Sequence, residues 1–196
     1  MTEPVLTIPD GGWTVDDLDT FPESHYRYEL TDGALTVSPS PSGLHQAVAM
    51  RLGVRLEVAA PEPLAVTQGV EIRFGRQLTR FPDVLVLRSD QPGRHWYAPS
   101  EVLVAVEIES SGSHLEDRAT KPALYAKYGI PHYWRIELRP PLVSVYGVGQ
   151  GDCYELIGAG PRLSVSEPFD CDVAIAELLP RWTGRGEGPT VPEQGL

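Results

Sequence analysis

Four residues in the middle of the sequence, Asp83, Glu107, Glu109 and Lys121, have the types and spacing that metal-assisted hydrolysis calls for. Asp83 opens the apolar run DVLVL directly after Pro82, and Glu107 and Glu109 close the apolar run VLVAV. Successive side chains of a strand alternate faces, so Glu107 and Glu109 project from one side and Val106 and Ile108 from the other. Burying a carboxylate without a partner is costly, and a divalent cation is one of the few ways to offset two or three together. The alternative is an exposed strand end with both glutamates solvated. If the two apolar strands are neighbours, Asp83 and Glu107 share a hard cation through oxygen ligands, with Glu109 a further candidate metal ligand; otherwise Asp83 simply ends a loop. Such a cation, Mg2+ or Mn2+, polarises a phosphoryl oxygen and lowers the pKa of a bound water for in-line attack on a phosphodiester. A lysine nearby orients that water and offsets developing negative charge. Lys121 and Lys127 are the only lysines. Lys121 begins the segment after the Glu107 strand, where it can lean back over the strand end; a plain surface lysine is the alternative. Two accessory candidates are His45, toward a cation-bound water or a phosphate, and Glu29, toward the acidic cluster. Packing or solvated roles are open for both.

The elements that must position these residues follow from periodicity. WTVDDLDTFP reads as a short helix with Thr14 as N-cap, acids in its first turn and Pro22 at its end. YRYEL and ALTVS are runs of strand formers separated by Thr31-Asp32-Gly33, which is hairpin chemistry. In LHQAVAMRLGVRLEVAA, Leu44, Val48, Leu52 and Leu56 recur at helical spacing and give one buried stripe, and Pro61 and Pro63 end the helix. AVTQGVEIRF, FPDVLVLR and EVLVAVEIE read as three strands, the last two apolar enough to be covered on both faces. HLEDRATKPALYAKYG reads as a helix capped by Gly129, and Pro122 fits it only within about four residues of the helix start. HYWRIEL, LVSVYGV and CYELIG suggest further strands, with turns at Arg139-Pro140-Pro141 and Gly149-Gln150-Gly151. From Arg181 onward the chain is rich in Gly and Pro and reads as a disordered tail, which leaves residues 1–180 as one domain.

Composition bounds the reading. A chain of 196 residues, 41% hydrophobic and 22% charged, suits one globular domain. No apolar run approaches the roughly 18 to 20 residues of a membrane span, and MTEPVLTIPDGG has neither a basic leader nor an apolar signal core, so the cytoplasm is expected, with no membrane partner. Cys153 and Cys171 stand in no metal-ligand spacing and read as reduced, partly buried thiols. The net charge of -11 argues against bulk attraction to nucleic acid. That charge is uneven: residues 1–32 hold eight acids against Arg27 alone, whereas Arg73, Arg76, Arg80, Arg88 and Arg94 face only Asp83 and Asp90 across residues 73–94. The second stretch reads either as a basic strip beside the site or as solvated arginines.

Taken in order and separation, YELTDGALTVSPSPSGLHQ, FPDVLVL and VEIESSGSHLEDRATKPALYAKYGIPHYWRIE resemble the Uma-type restriction endonuclease family, a branch of the PD-(D/E)XK nuclease superfamily. The similarity runs from about Trp13 to about Tyr154. It implies a restriction-endonuclease-like α/β (α+β) fold, a mixed β-sheet flanked by helices with an N-terminal helix and hairpin. It also implies a magnesium-dependent endonuclease acting on DNA. The superfamily aspartate falls on Asp83, its acidic strand residue on Glu107, and the Uma-type helix lysine on Lys121. The superfamily's own lysine, two residues after the strand acid, falls on Glu109. Either Lys121 takes over from the helix, or Glu109 is a third metal ligand, or efficient catalysis has been lost. Asp117, Tyr125 and GIPHYW also match the pattern, with Tyr125 and Trp134 read mainly as core or site wall. The runner-up function is a catalytically weak or inactive nuclease-fold module that binds nucleic acid or a protein partner. Nuclease folds often pair as homodimers because two strands need two sites.

Overall fold

The computed structural model describes residues 7–22, 24–88, 91, 93–110 and 115–184. Its first element is the short helix α1 (Val15–Leu18): Thr14 caps it and Asp17 reaches back to the Thr14 N–H at 2.8 Å. The hairpin of β1 (Tyr26–Thr31) and β2 (Ala34–Pro39) follows. Asp32 and Gly33 both take positive φ, 49° and 79°, the backbone twist that a two-residue hairpin turn requires.

Helix α2 (Gly43–Ala59) starts where Ser42 accepts from the His45 N–H at 3.3 Å, and it buries Val48, Ala49, Leu52 and Leu56. The run AVTQGVEIRF departs from the single strand expected of it. It forms β3 (Ala65–Gln68) and β4 (Glu71–Gly75), which lie in different sheets, because Gly69 at φ 62° turns the chain between them. Strands β5 (Leu78–Arg80), β6 (Val84–Leu87), β7 (Trp96–Tyr97) and β8 (Val102–Ile108) come next, and every residue of β6 and β8 is buried. After β8 the chain makes a π-helical turn, Glu116–Thr120, that runs into α3 (Lys121–Lys127). Pro122 therefore sits in the first turn of α3, and the Asp117 carbonyl five residues before it accepts the Tyr133 hydroxyl. Gly129, at φ 76°, closes the helix. The remaining elements are β9 (His132–Leu138), β10 (Pro141–Val148), β11 (Tyr154–Gly160), β12 (Arg162–Val165), β13 (Cys171–Ala174) and α4 (Ile175–Leu178). Sequence periodicity had indicated none of β5, β7, β12, β13 and α4. Arg181–Gly184, expected to begin a disordered tail, forms a 3-10 turn, and the rest of that expected tail lies outside the described residues.

The main sheet has the order β11-β10-β9-β8-β6-β3. It is mixed: β8 and β9 run parallel, joined by the α3 crossover, while the other neighbouring pairs are antiparallel. Alternation along β6 and β8 sorts their side chains between two cores. Val84, Val86, Val104, Val106 and Ile108 pack with α2, α4 and β13, whereas Leu85, Leu87 and Ala105 pack with Ile72, Tyr97, Tyr125 and Tyr133 on the α3 side. At one edge, β11 exposes Leu156 and Ile157 to solvent. Among the described residues no helix is long and apolar enough to cross a membrane.

Candidate active site

Register fixes the centre of the site. Val84 of β6 pairs with Val106 of β8, so Asp83, one residue before β6, stands opposite Glu107. Two hydrogen bonds lock that juxtaposition: the Asp83 N–H donates to the Val106 carbonyl at 3.0 Å, and the Ile108 N–H donates to Asp83 Oδ2 at 2.7 Å. Glu107 lies on the face shared with Ala105, the α3 face, and there α3 meets it. Lys121 Nζ donates to Glu107 Oε2 at 2.8 Å and the Tyr125 hydroxyl donates to Glu107 Oε1 at 2.7 Å. Lys121 and Tyr125 are four residues apart, one helical turn, so one face of α3 supplies both donors. The π-helical turn before α3 brings in Asp117, whose Oδ1 lies 3.0 Å from Lys121 Nζ.

Asp83 is held from the other side. His45, in the first turn of α2, places Nε2 3.0 Å from Asp83 Oδ2 and 2.9 Å from the Ile108 carbonyl, and Arg27 of β1 places Nη1 3.4 Å from Asp83 Oδ1. Glu29 of β1 accepts the Phe81 N–H at 2.8 Å, which ties the hairpin to the segment leading into Asp83. Asp83, Glu107 and Lys121 thus converge, with His45, Glu29, Arg27, Asp117 and Tyr125 around them. All but Tyr125 line one cleft of about 930 Å³ between the β1–β2 hairpin and the ends of β6 and β8.

Glu109 lines the same cleft but is held by a different partner. Just beyond β8, its carboxylate is clasped by Arg118, with Nε at 2.5 Å and Nη2 at 2.9 Å, and the same guanidinium reaches Glu137 of β9 at 3.1 Å. The Glu109 carboxylate thus accepts from a cation the sequence reading had not singled out. The available signal was the arginine three residues before Lys121 in the segment that follows the two glutamates. Arg27 was also missed as a site residue, and Tyr125, expected as core or site wall, is a core residue that also donates to the central carboxylate.

The electrostatics follow from crowding several acids around few cations. Glu107 is 2% exposed, and burial, with the charges of Asp83 and Asp117 adding, pushes its carboxyl up to about 8 against the pull of Lys121. Burial works in the same direction on Asp83, but His45, the Ile108 N–H and Lys121 outweigh it and hold that carboxyl below the usual aspartate value. Burial disfavours a charged Lys121, yet Glu107, Asp117 and Glu29 overcome it and keep the ammonium protonated well beyond neutral pH. Burial also raises the Tyr125 hydroxyl, with the Glu107 charge adding, so it remains a donor. The chemistry of the donor set fits a hard divalent cation: Asp83 and Glu107 bring carboxylate oxygens from opposed positions on neighbouring strands, and acidic charge exceeds the cations arrayed against it. Among the described residues no trio of His, Cys, Asp or Glu is already drawn together as a metal cage.

The arginines of residues 73–94 do not form a basic strip at the cleft. Arg73 pairs with Asp19 and Glu71, Arg76 with Asp16, and Arg94 with Glu101, while Arg80 donates to the Leu30 carbonyl at 2.9 Å. They neutralise the acidic N-terminal helix and tie down loops.

Fold and site together define a mixed α+β protein in which two buried carboxylates and a lysine line a cleft. The chain belongs to the Uma2 family, whose model, described as "Putative restriction endonuclease", matches residues 15–176. The fold is shared with a crystal structure of "a putative nuclease belonging to DUF820 from Anabaena variabilis ATCC 29413", with a TM-score of 0.67 and 20% identity, covering 84% of this chain and 96% of that one. No curated protein matches the chain.

Proposed function

We propose that this protein is a divalent-metal-dependent endonuclease that hydrolyses phosphodiester bonds in DNA, built on the PD-(D/E)XK plan. The observation that carries the reading is the pairing of Asp83 and Glu107 across neighbouring strands, with Lys121 already bonded to Glu107 at 2.8 Å. Membership of a family described as restriction endonucleases supports it. Asp83 and Glu107 would hold Mg2+ or Mn2+, and Glu109 joins them only if Arg118 releases it. When bound, the cation supplies charge neutralisation and Lewis-acid polarisation of a phosphoryl oxygen.

The chain's own residues do the rest. Tyr125 and Lys121 fix the two oxygens of Glu107, so its carboxylate is oriented before substrate arrives. Lys121 donates to Glu107 and pairs by charge with Asp117, and its remaining N–H donors would serve an attacking water or a non-bridging phosphoryl oxygen. His45 and the Ile108 N–H hold Asp83 ionised and in place. Arg27, on the hairpin wall, is the cation best placed to meet a phosphate beside Asp83.

Purified protein is expected to nick or cut plasmid DNA with Mg2+ or Mn2+, and Asp83→Ala is expected to abolish that activity. Protein inert on single-stranded, duplex and branched DNA would instead favour a nuclease-fold module that binds nucleic acid or a partner protein, the reading that the acid-rich cleft and the -11 charge favour.

A further inference from the structure

A smaller cavity of about 420 Å³ adjoins the main cleft, and the two share Arg27, His45 and Asp83 as a common wall. Their chemistries differ. The main cleft is lined by Glu29, Glu107, Glu109 and Asp117, whereas the smaller cavity is lined by Ala47, Ala49 and Met50 of α2 and by the amides Gln46 and Gln68. Acids suit a cation and the phosphate it binds. Apolar side chains edged by amides suit a flat, uncharged heterocycle with hydrogen-bonding edges.

Backbone geometry points the same way. Gln68 ends β3 two residues after Val66, which packs on the α2 side of the sheet, so strand alternation turns Gln68 toward α2 as well. Gly69 follows at φ 62° and has no side chain to fill the cavity, and its N–H donates to the Asp83 carbonyl at 3.3 Å. The turn that carries Gln68 is therefore tied to the residue that faces the scissile phosphate. Arg27 Nη2 lies 3.9 Å from where a Cβ on Gly69 would stand, so its guanidinium spans the boundary between the two cavities. Gln46 is already oriented by its bond to the Pro41 carbonyl at 2.8 Å.

We propose that the smaller cavity seats the unpaired DNA base next to the scissile phosphate, with Met50 and Ala47 against its face and Gln68 reading its edge as a specificity-determining residue. This inference rests on the nuclease reading above. The base is unpaired because a base stacked in a duplex has no free face to offer these side chains. The substrate is therefore single-stranded or locally melted DNA.

The test compares a fluorescent single-stranded octathymidylate with an abasic deoxyribose-phosphate chain of equal length, bound in Ca2+ so that nothing is cut. Wild type is expected to bind the base-bearing strand about tenfold or more tightly than the abasic one, the range of a single base contact. Gln68→Ala and Met50→Ala should shrink that ratio and leave abasic binding unchanged. Equal affinity of wild type for the two strands, no binding of either, or a ratio that both variants preserve would overturn the inference. A parallel digestion in Mg2+ of a randomised single-stranded pool should show a base preference beside the break that Gln68→Ala flattens. Protein that binds with the expected ratio yet cuts nothing removes the nuclease reading and keeps the base seat. Protein that cuts without the ratio removes the base seat and keeps the nuclease.

Discussion

Glu107 is the residue on which the others depend, and its two oxygens are held by different kinds of donor. Tyr125 is fully buried and stacks on Phe74 at 5.8 Å between ring centroids, so Tyr125→Phe keeps the packing and removes only the bond to Glu107. Leaving a buried acceptor without its donor is expected to cost about 1 to 3 kcal/mol, read as a lowered midpoint in urea, and to raise the metal concentration needed for half-maximal cleavage. Lys121→Ala removes a counter-ion shared by Glu107 and Asp117 and is expected to lower cleavage by a factor on the order of 100 or more, measured at saturating metal. Glu109→Gln separates two roles. With Arg118 as its partner Glu109 is structural, cleavage should fall by less than about tenfold, and a loss comparable to that of Glu107→Gln would show it to be a metal ligand. The cysteines also divide. Cys153 is exposed, whereas Cys171 is buried and its thiol is raised by burial, with Asp172 adding, so at a given pH it carries less thiolate. Iodoacetamide at mildly alkaline pH should label Cys153 in the folded protein and reach Cys171 only after denaturation. At this scale Asp83, Glu107 and Lys121 were legible in the sequence because acids beside apolar strands and a scarce lysine stand out. The Glu109–Arg118 clasp and the Arg27 contact were not, since each depends on how a loop or hairpin folds back.

The elements set how far such residues can wander. The β1–β2 hairpin is one wall of the cleft and carries Arg27 and Glu29, and its turn depends on Gly33. A Cβ there would meet Gln77 Nε2 at 2.7 Å and Gly12 Cα at 3.2 Å, on a backbone at φ 79° that L side chains rarely adopt. Gly33→Ala is expected to destabilise the protein by about 1 to 3 kcal/mol, seen as a fall in thermal midpoint. Ser42 caps α2 through the His45 N–H, so Ser42→Ala should cost about 1 kcal/mol and loosen His45 from Asp83 at the same time. The hairpin, α2, β6 and β8 could be read from the sequence because each has strong periodicity and punctuation. The break at Gly69 could not, because the alternation of AVTQGVEIRF continues through it and only the assignment of β3 and β4 to separate sheets reveals the turn. The short strands β5, β7, β12 and β13 lack the wholly apolar run that marks β6, itself only four residues long, so no pattern rises above background.

At the scale of the whole molecule, the -11 charge is in keeping with how the cations are spent. Of those lining the cleft, Arg80 donates to backbone carbonyls, Lys121 donates to Glu107 and Arg27 pairs with Asp83, so few cations would meet phosphates if the cleft takes DNA. DNA binding should accordingly have a shallow salt dependence, with a slope of log K against log salt no steeper than about -2, whereas six or more phosphate contacts would give about -5. Fluorescence anisotropy across a salt series measures this directly. The edge strand β11 has a consequence for handling the protein. Leu156 and Ile157 stand exposed on a strand whose outer side has no partner strand among the described residues, so each molecule in a concentrated stock offers its neighbours a template for growing a shared ribbon. Clouding and slow loss of soluble material on storage should set in as concentration rises, and Ile157→Lys should lengthen shelf life without touching the cleft.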